Sequence, residues 1–161
     1  MEQFLEVPGF PDSGLVTSSL VIVEKLSPLP ELIRTLHAKL LDDSDPFVFS
    51  GMQASPSIDN RLPVNSPLAV LFKIYNLAGG SENWKLVARA RLAGENGEQL
   101  VLPPVSLEGS ISQTGNSEAT VGIDLPFRNE APGKYKLLID ISEGDATRAT
   151  TAWTDVEFIK N

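Results

Sequence analysis

Between Pro67 and Leu77, Leu68, Val70, Phe72 and Ile74 alternate with Ala69, Leu71, Lys73 and Tyr75. A repeat of two residues is what a half-buried β-strand demands, because successive side chains leave opposite faces of a sheet. The rhythm returns at Glu118–Leu125, where Ala119, Val121, Ile123 and Leu125 are expected inward and Glu118, Thr120 and Asp124 toward water. It returns again at Lys134–Ile141, with Tyr135, Leu137, Ile139 and Ile141 inward, opposite Lys134, Lys136 and Asp140. Short alternating strands separated by turn signals every 8–12 residues or so are the pattern of an all-β sandwich. A barrel fits the same pattern; uneven strand lengths and irregular connections favour the sandwich.

The remaining strands follow from the same logic. Trp84, Leu86, Ala88, Ala90 and Leu92 form a dry face, and Lys85, Val87, Arg89 and Arg91 form a basic one. Gly94-Glu95-Asn96-Gly97 signals a hairpin. Leu100 and Leu102 begin the return strand, which Pro103-Pro104 stops. Val105, Leu107 and Ile111 outline a further short strand, and Thr147–Ile159 is the last. There Ala152, Val156 and Phe158 share one phase and Trp153 takes the other, so either a bulge re-aims Trp153 or it covers the outer surface. Phe47–Ala54 is expected as one strand with a bulge at Gly51, and Pro56–Asn65 as a loop or edge.

Upstream, a short strand at Phe4–Val7 and a turn at Pro8–Gly14 precede a strand at Leu15–Leu26. The run Leu20-Val21-Ile22-Val23 at its centre fits a strand covered on both faces. Leu29, Leu32, Ile33, Leu36 and Leu40 are spaced for a helical stripe, although Leu32, Leu36, Ala38 and Leu40 would also share one face of a strand. The breaker Asp42-Asp43-Ser44-Asp45-Pro46 marks a boundary, dividing an N-terminal extension at 1–45, packed on the sandwich, from the sandwich itself at 46–161.

Of the 161 residues, 42% are hydrophobic, enough for a core, and the formal charge is −8. Such a surface repels phosphate backbones and anionic headgroups, which argues against nucleic-acid binding and against a peripheral membrane role. There is no long uncharged apolar run for membrane insertion, and no signal peptide is legible at Met1-Glu2-Gln3. Absence of cysteine removes disulfides, thiolate metal sites and cysteine nucleophiles together.

Reactive chemistry has little to stand on. His37 is the single histidine, so a His–His metal pair cannot form, and Ser50 lacks the flanking glycines of a nucleophile elbow. Asp42, Asp43 and Asp45 could offer oxygens to calcium, but they lack the glycine and the distal glutamate of an EF-hand, so a solvated linker is the simpler account. Glu108, Glu118, Asp124, Asp140 and Asp155 are scattered on outward positions and propose no catalytic pair. No cofactor is expected. Two surface features stand out as partner sites. Trp153 could stack a ligand, while Trp84, in phase with Leu86 and Ala88, reads as a core anchor. Lys85, Arg89 and Arg91 form a basic stripe that either pairs with carboxylates across strands or docks an acidic partner.

Val7-Pro8-Gly9-Phe10, followed by Gly14-Leu15-Val16-Thr17-Ser18-Ser19-Leu20, resembles a phrase in long bacterial proteins of the von Willebrand factor A-related kind, abundant in Acidobacteria. The likeness continues through Pro46–Leu77, Leu102-Pro103-Pro104 and Pro132-Gly133-Lys134-Tyr135-Lys136-Leu137. The sequence departs from the phrase at Gly9, where the family would carry aspartate. The resemblance implies a C-terminal immunoglobulin-like antiparallel β-sandwich in a larger, exported, extracytoplasmic and non-enzymatic protein. It carries over no functional residue, because the Asp-x-Ser-x-Ser adhesion motif is absent. The expected role is therefore a structural or protein-interaction module with an unknown protein partner; a carbohydrate-binding module using Trp153 is the alternative.

Overall fold

The structure, a computed structural model, describes residues 14–29, 47–49, 51–78, 84–108, 111–113, 117–127, 131–144 and 147–160. These residues form thirteen strands and no helix. The expected strand at Phe4–Val7, the ambiguous segment from Pro30, His37, the Asp42–Asp45 cluster and Ser50 lie outside them.

One sheet contains β1 (Val16–Thr17), β2 (Val21–Pro28), β3 (Val48–Phe49), β4 (Met52–Pro56), β6 (Leu68–Tyr75), β10 (Ile111–Gln113) and β11 (Ala119–Leu125). Its order is β10-β11-β6-β2-β4-β3, with β1 also on β6. The second sheet contains β5 (Arg61–Pro63), β7 (Leu86–Gly94), β8 (Gln99–Val101), β9 (Val105–Ser106), β12 (Gly133–Glu143) and β13 (Arg148–Ile159). Its order is β5-β13-β12-β7-β8, with β9 also on β7. All pairings are antiparallel except β5 with β13. The chain passes from β6 to the second sheet at β7, returns at β10 and crosses again at β12. That Greek-key order is the immunoglobulin one, β2-β6-β11-β10 facing β13-β12-β7-β8. Tyr135, near the start of β12, donates its hydroxyl to the Ala131 carbonyl at 2.8 Å, the tyrosine corner of such sandwiches.

Between the sheets lies one apolar cluster that takes in Ile22, Phe72, Trp84, Leu86, Val121 and Leu137. Full burial stabilises by about 1.5–3 kcal/mol per large side chain, so this cluster stands in for the inter-sheet disulfide the chain cannot make. Trp84 is 5% exposed and anchors the core as expected.

Several local expectations need correction. Leu15–Leu26 is not one strand: Val16 pairs with Tyr75 and Val21 with Leu71, so the register slips by one residue at Ser18–Leu20. That slip lets Leu15 and Leu20 both enter the core. Val21–Pro28, placed by the Asp42–Pro46 breaker in an extension packed on the sandwich, is an inner member of its sheet, hydrogen-bonded to β6 on one side and β4 on the other. Gly51 is no bulge. Its φ of 74° places it in the turn that folds β3 back on β4. Pro103-Pro104 interrupts the return strand without ending it, since Val105 and Ser106 resume pairing with β7 one residue out of step. Ile111 then begins a strand of the opposite sheet. The Gly94–Gly97 hairpin forms as expected, closed by Gly94 N–H to the Glu98 carbonyl, with Gly97 at φ 80°.

Candidate functional site

Strict alternation along β7, β12 and β13 leaves one side of the second sheet in water, and register decides which side chains meet there. Trp153 lies opposite Leu138, Leu138 opposite Arg91, and Arg91 opposite Val101, so one row crosses four strands. Trp153 is 56% exposed and Val101 53%. No bulge re-aims Trp153, because β12 and β13 pair without interruption from Gly133–Phe158 to Glu143–Arg148. The Lys136 ammonium sits 4.1 Å from the centre of the Trp153 ring, a cation–π contact that holds the indole in place.

The basic stripe is divided in its roles. Arg91 donates from Nε to Asp140 Oδ2 and from Nη2 to Oδ1, each at 2.9 Å, and the Thr151 hydroxyl adds a bond to Oδ1 at 2.8 Å. Burial alone would raise the Asp140 pKa; the bonds from Arg91 and Thr151 and the charges of Arg91 and Arg89 outweigh it and hold the carboxyl below its ordinary value. Arg91 is thus neutralised by a cross-strand partner. Arg89 stands directly opposite Asp140 yet makes no ion pair among the described residues, and Lys85 is exposed just before β7.

A second feature lies at the edge of the same sheet. β5 covers β13 only along Glu157–Ile159. Beyond that cover, a cleft of about 480 Å³ runs between Thr17–Ser19 and Thr151–Asp155, with Trp153 on its wall. Asn60 closes one end. At φ 56° it occupies the left-handed region that asparagine tolerates, and its Nδ2 donates to Thr154 Oγ1 at 3.3 Å and to the Asp155 carbonyl at 3.0 Å. Its own carbonyl accepts from Glu157 N–H. Ser18 Oγ is engaged too, donating to the Ser19 carbonyl and accepting from Lys73 N–H.

The carboxylates named from sequence are dispersed. Asp124 belongs to the β6–β11 sheet and Glu118 directly precedes β11, while Asp140 and Asp155 lie on the other sheet. A shallow groove of about 600 Å³ near the Gly94 turn holds Asp59, Glu95, Lys134 and Glu157, the last paired with Arg61 at 2.9 Å. Among the described residues, no group of three or more histidine, cysteine, aspartate or glutamate side chains is placed to hold a metal ion.

Sequence reasoning named Trp153, Lys85, Arg89 and Arg91 and missed Leu138, Val101, Asn60 and Thr17. Leu138 had a signal. It is an apolar residue in the outward phase of β12, between Lys136 and Asp140, where alternation calls for a polar one. Asn60 had none, since its contacts lie 95 residues away in the chain.

No protein-family model matches the chain. No curated protein matches it either. Among solved structures it is similar to a family 123 glycoside hydrolase from Clostridium perfringens, at 13% identity and TM-score 0.43, over 63% of this chain and 22% of that one. It is also similar to a superoxide reductase (neelaredoxin) from Ignicoccus hospitalis, at 11% identity and TM-score 0.41, over 62% and 75% of the two chains. A CARDB domain from Pyrococcus furiosus aligns at 16% identity and TM-score 0.35, over 63% and 86%. This chain spans about a fifth of the glycoside hydrolase. At these values the likenesses carry no activity across.

Proposed function

We propose that this chain is a non-catalytic protein-interaction module of a larger, exported bacterial protein, of the von Willebrand factor A-related kind its sequence resembles. It meets its partner through the outer face of β13-β12-β7-β8. The observation that carries the reading is the outward row Trp153–Leu138–Arg91–Val101, exposed at its two ends and half-buried between them. Aromatic and arginine side chains held on paired strands lose little freedom on docking, and such residues dominate interface energies. Arg89 and Lys85 flank the row and supply charge at its rim.

Site-specific photo-crosslinking in the full-length parent protein tests this. A photoreactive phenylalanine at 138 or 101 is expected to give discrete protein adducts, whereas one at exposed Glu24, on the other sheet, gives none. Equal labelling from all three positions, or no adduct from 138 and 101, overturns the reading.

A further inference from the structure

We infer that the cleft along the uncovered edge of β13 binds a neutral oligosaccharide, with Trp153 as its stacking surface. This is a second site, distinct from the outer-face row, although Trp153 borders both.

A sugar ring presents a rim of hydroxyls, each needing a donor or acceptor, and a face of polarised C–H groups that packs on an aromatic π-face. The cleft offers both. Trp153 supplies the flat surface and is more than half exposed. The Thr17 and Ser19 hydroxyls can each donate and accept, and the Asp155 carboxylate accepts. Asn60, whose amide nitrogen is spent on Thr154 and Asp155, retains its Oδ1 as an acceptor. A volume near 480 Å³ lies within the range of about 300–1,000 Å³ that small-molecule sites occupy.

Lys136 sharpens the case. It lies over the ring from the β12 side and does not line the cleft, which reaches Trp153 from the β1 side. That contact restrains the indole, which stays 56% exposed, and an immobilised side chain loses less freedom when a ligand arrives. Charge selects against polyanions, because Asp155 is the one acidic group among the described lining residues and no cation lines the cleft. Asn60 already occupies the Asp155 carbonyl and the Glu157 amide, so a peptide strand could not pair with that end of the β13 edge.

Three other cavities among the described residues differ: the groove near the Gly94 turn sets Tyr135 among charged side chains, one of about 800 Å³ between Val23–Leu26 and Asp124–Phe127 has the buried Phe127 as its aromatic, and one of about 330 Å³ over β6 is mostly apolar, lined by Val21, Phe47 and Leu71.

The test titrates the full chain with cellohexaose, chitohexaose, mannohexaose and maltohexaose, read by calorimetry and by amide shifts in NMR. At least one is expected to saturate with a Kd in the millimolar range or below, and to shift amides at 17–19, 60 and 151–155. Trp153→Ala should weaken it by about tenfold or more, Trp153→Phe by about threefold, and Thr17→Val by a few-fold. Because Trp153 is a surface residue, these variants are expected to fold. No saturation by any hexasaccharide up to 10 mM or so, an unaffected Trp153→Ala, or shifts confined to Leu138 and Val101 overturns the inference. Failure here with intact crosslinks from position 138 removes the saccharide site alone. Saturation without those crosslinks keeps this site and removes the protein-interaction reading.

Discussion

The two sheets share one dry inner face and differ on the other. Along β7, β12 and β13 buried and solvent-facing residues alternate, so the far side is wet. Along β6 the first five residues are all buried. A second apolar cluster, Val23, Ala54, Ala69 and Leu71 with Val21, Leu26 and Phe47 packed against it, covers the far side of that sheet. Thr120, expected in water, is 2% exposed there because it lies beside Lys73 on this covered surface. The far side of the first sheet is thus dry around this cluster, although Glu24, Lys25 and Asp124 stay exposed, and the other sheet is the surface on which recognition has room to act.

The largest expected effect separates those faces directly. Leu71→Ala opens a cavity in the second cluster and should cost about 2–4 kcal/mol in urea unfolding. Leu138→Ala removes a partly exposed side chain at an equivalent outward position and should cost less than about 1 kcal/mol. Equal costs would mean that the two outer faces do not differ in the way their burial indicates.

How much of this difference was legible in the chain depends on where the covering groups come from. Alternation identified β7, β12 and β13 because a wet face imposes polar residues at every second position, and it identified β11 although Thr120 there is buried. The run Leu20–Val23 correctly announced a strand covered on both sides: Ile22 enters the main core and Val23 the second cluster. In β6 the outward Ala69 and Leu71 looked like ordinary members of a half-buried strand, because the apolar residues packed beside them, Phe47 and Val21, are distant in sequence. The site was less legible than the fold. Its row exists through register, and Asn60 reaches β13 through a backbone turn, neither of which leaves a local pattern.

A smaller effect reads the tyrosine corner. Tyr135→Phe removes the bond to the Ala131 carbonyl and should cost about 1 kcal/mol. The corner belongs to the second sheet, so the loss should appear in hydrogen exchange along β12 and β13 before it appears in β6 and β11. Uniform acceleration over both sheets would show that they unfold as one unit.

Two threonines give opposite signs. Thr120→Val replaces a buried hydroxyl near the second cluster with a methyl and should be neutral or stabilising by up to about 1 kcal/mol. Thr151→Val removes the donor to Asp140 on the wet face and should destabilise by about 0.5–1 kcal/mol. Thermal unfolding of both variants under one condition checks the pair, and a loss in Thr120→Val as large as in Thr151→Val would contradict the assignment of a dry face.

The smallest effect depends on pH and belongs to the wet face alone. Asp140 is held below its ordinary pKa in the folded chain, so the folded state binds its proton less readily than the unfolded state. Its contribution is complete above the unfolded value, near ~4, and is lost as pH falls through the lower folded value. Because the pair with Arg91 is partly exposed, with side chains 31% and 37% accessible, its worth is about 0.2–1 kcal/mol rather than that of a buried bridge. Asp140→Asn should therefore be less stable than the parent by about that amount at pH 7, with the gap narrowing in molar salt. Protonated Asp140 resembles asparagine in charge and shape, so the two chains should converge in stability as pH falls through the lowered folded value. A gap that stays constant or widens on acidification would show that the Arg91–Asp140 pair does not set the electrostatics of the outer face.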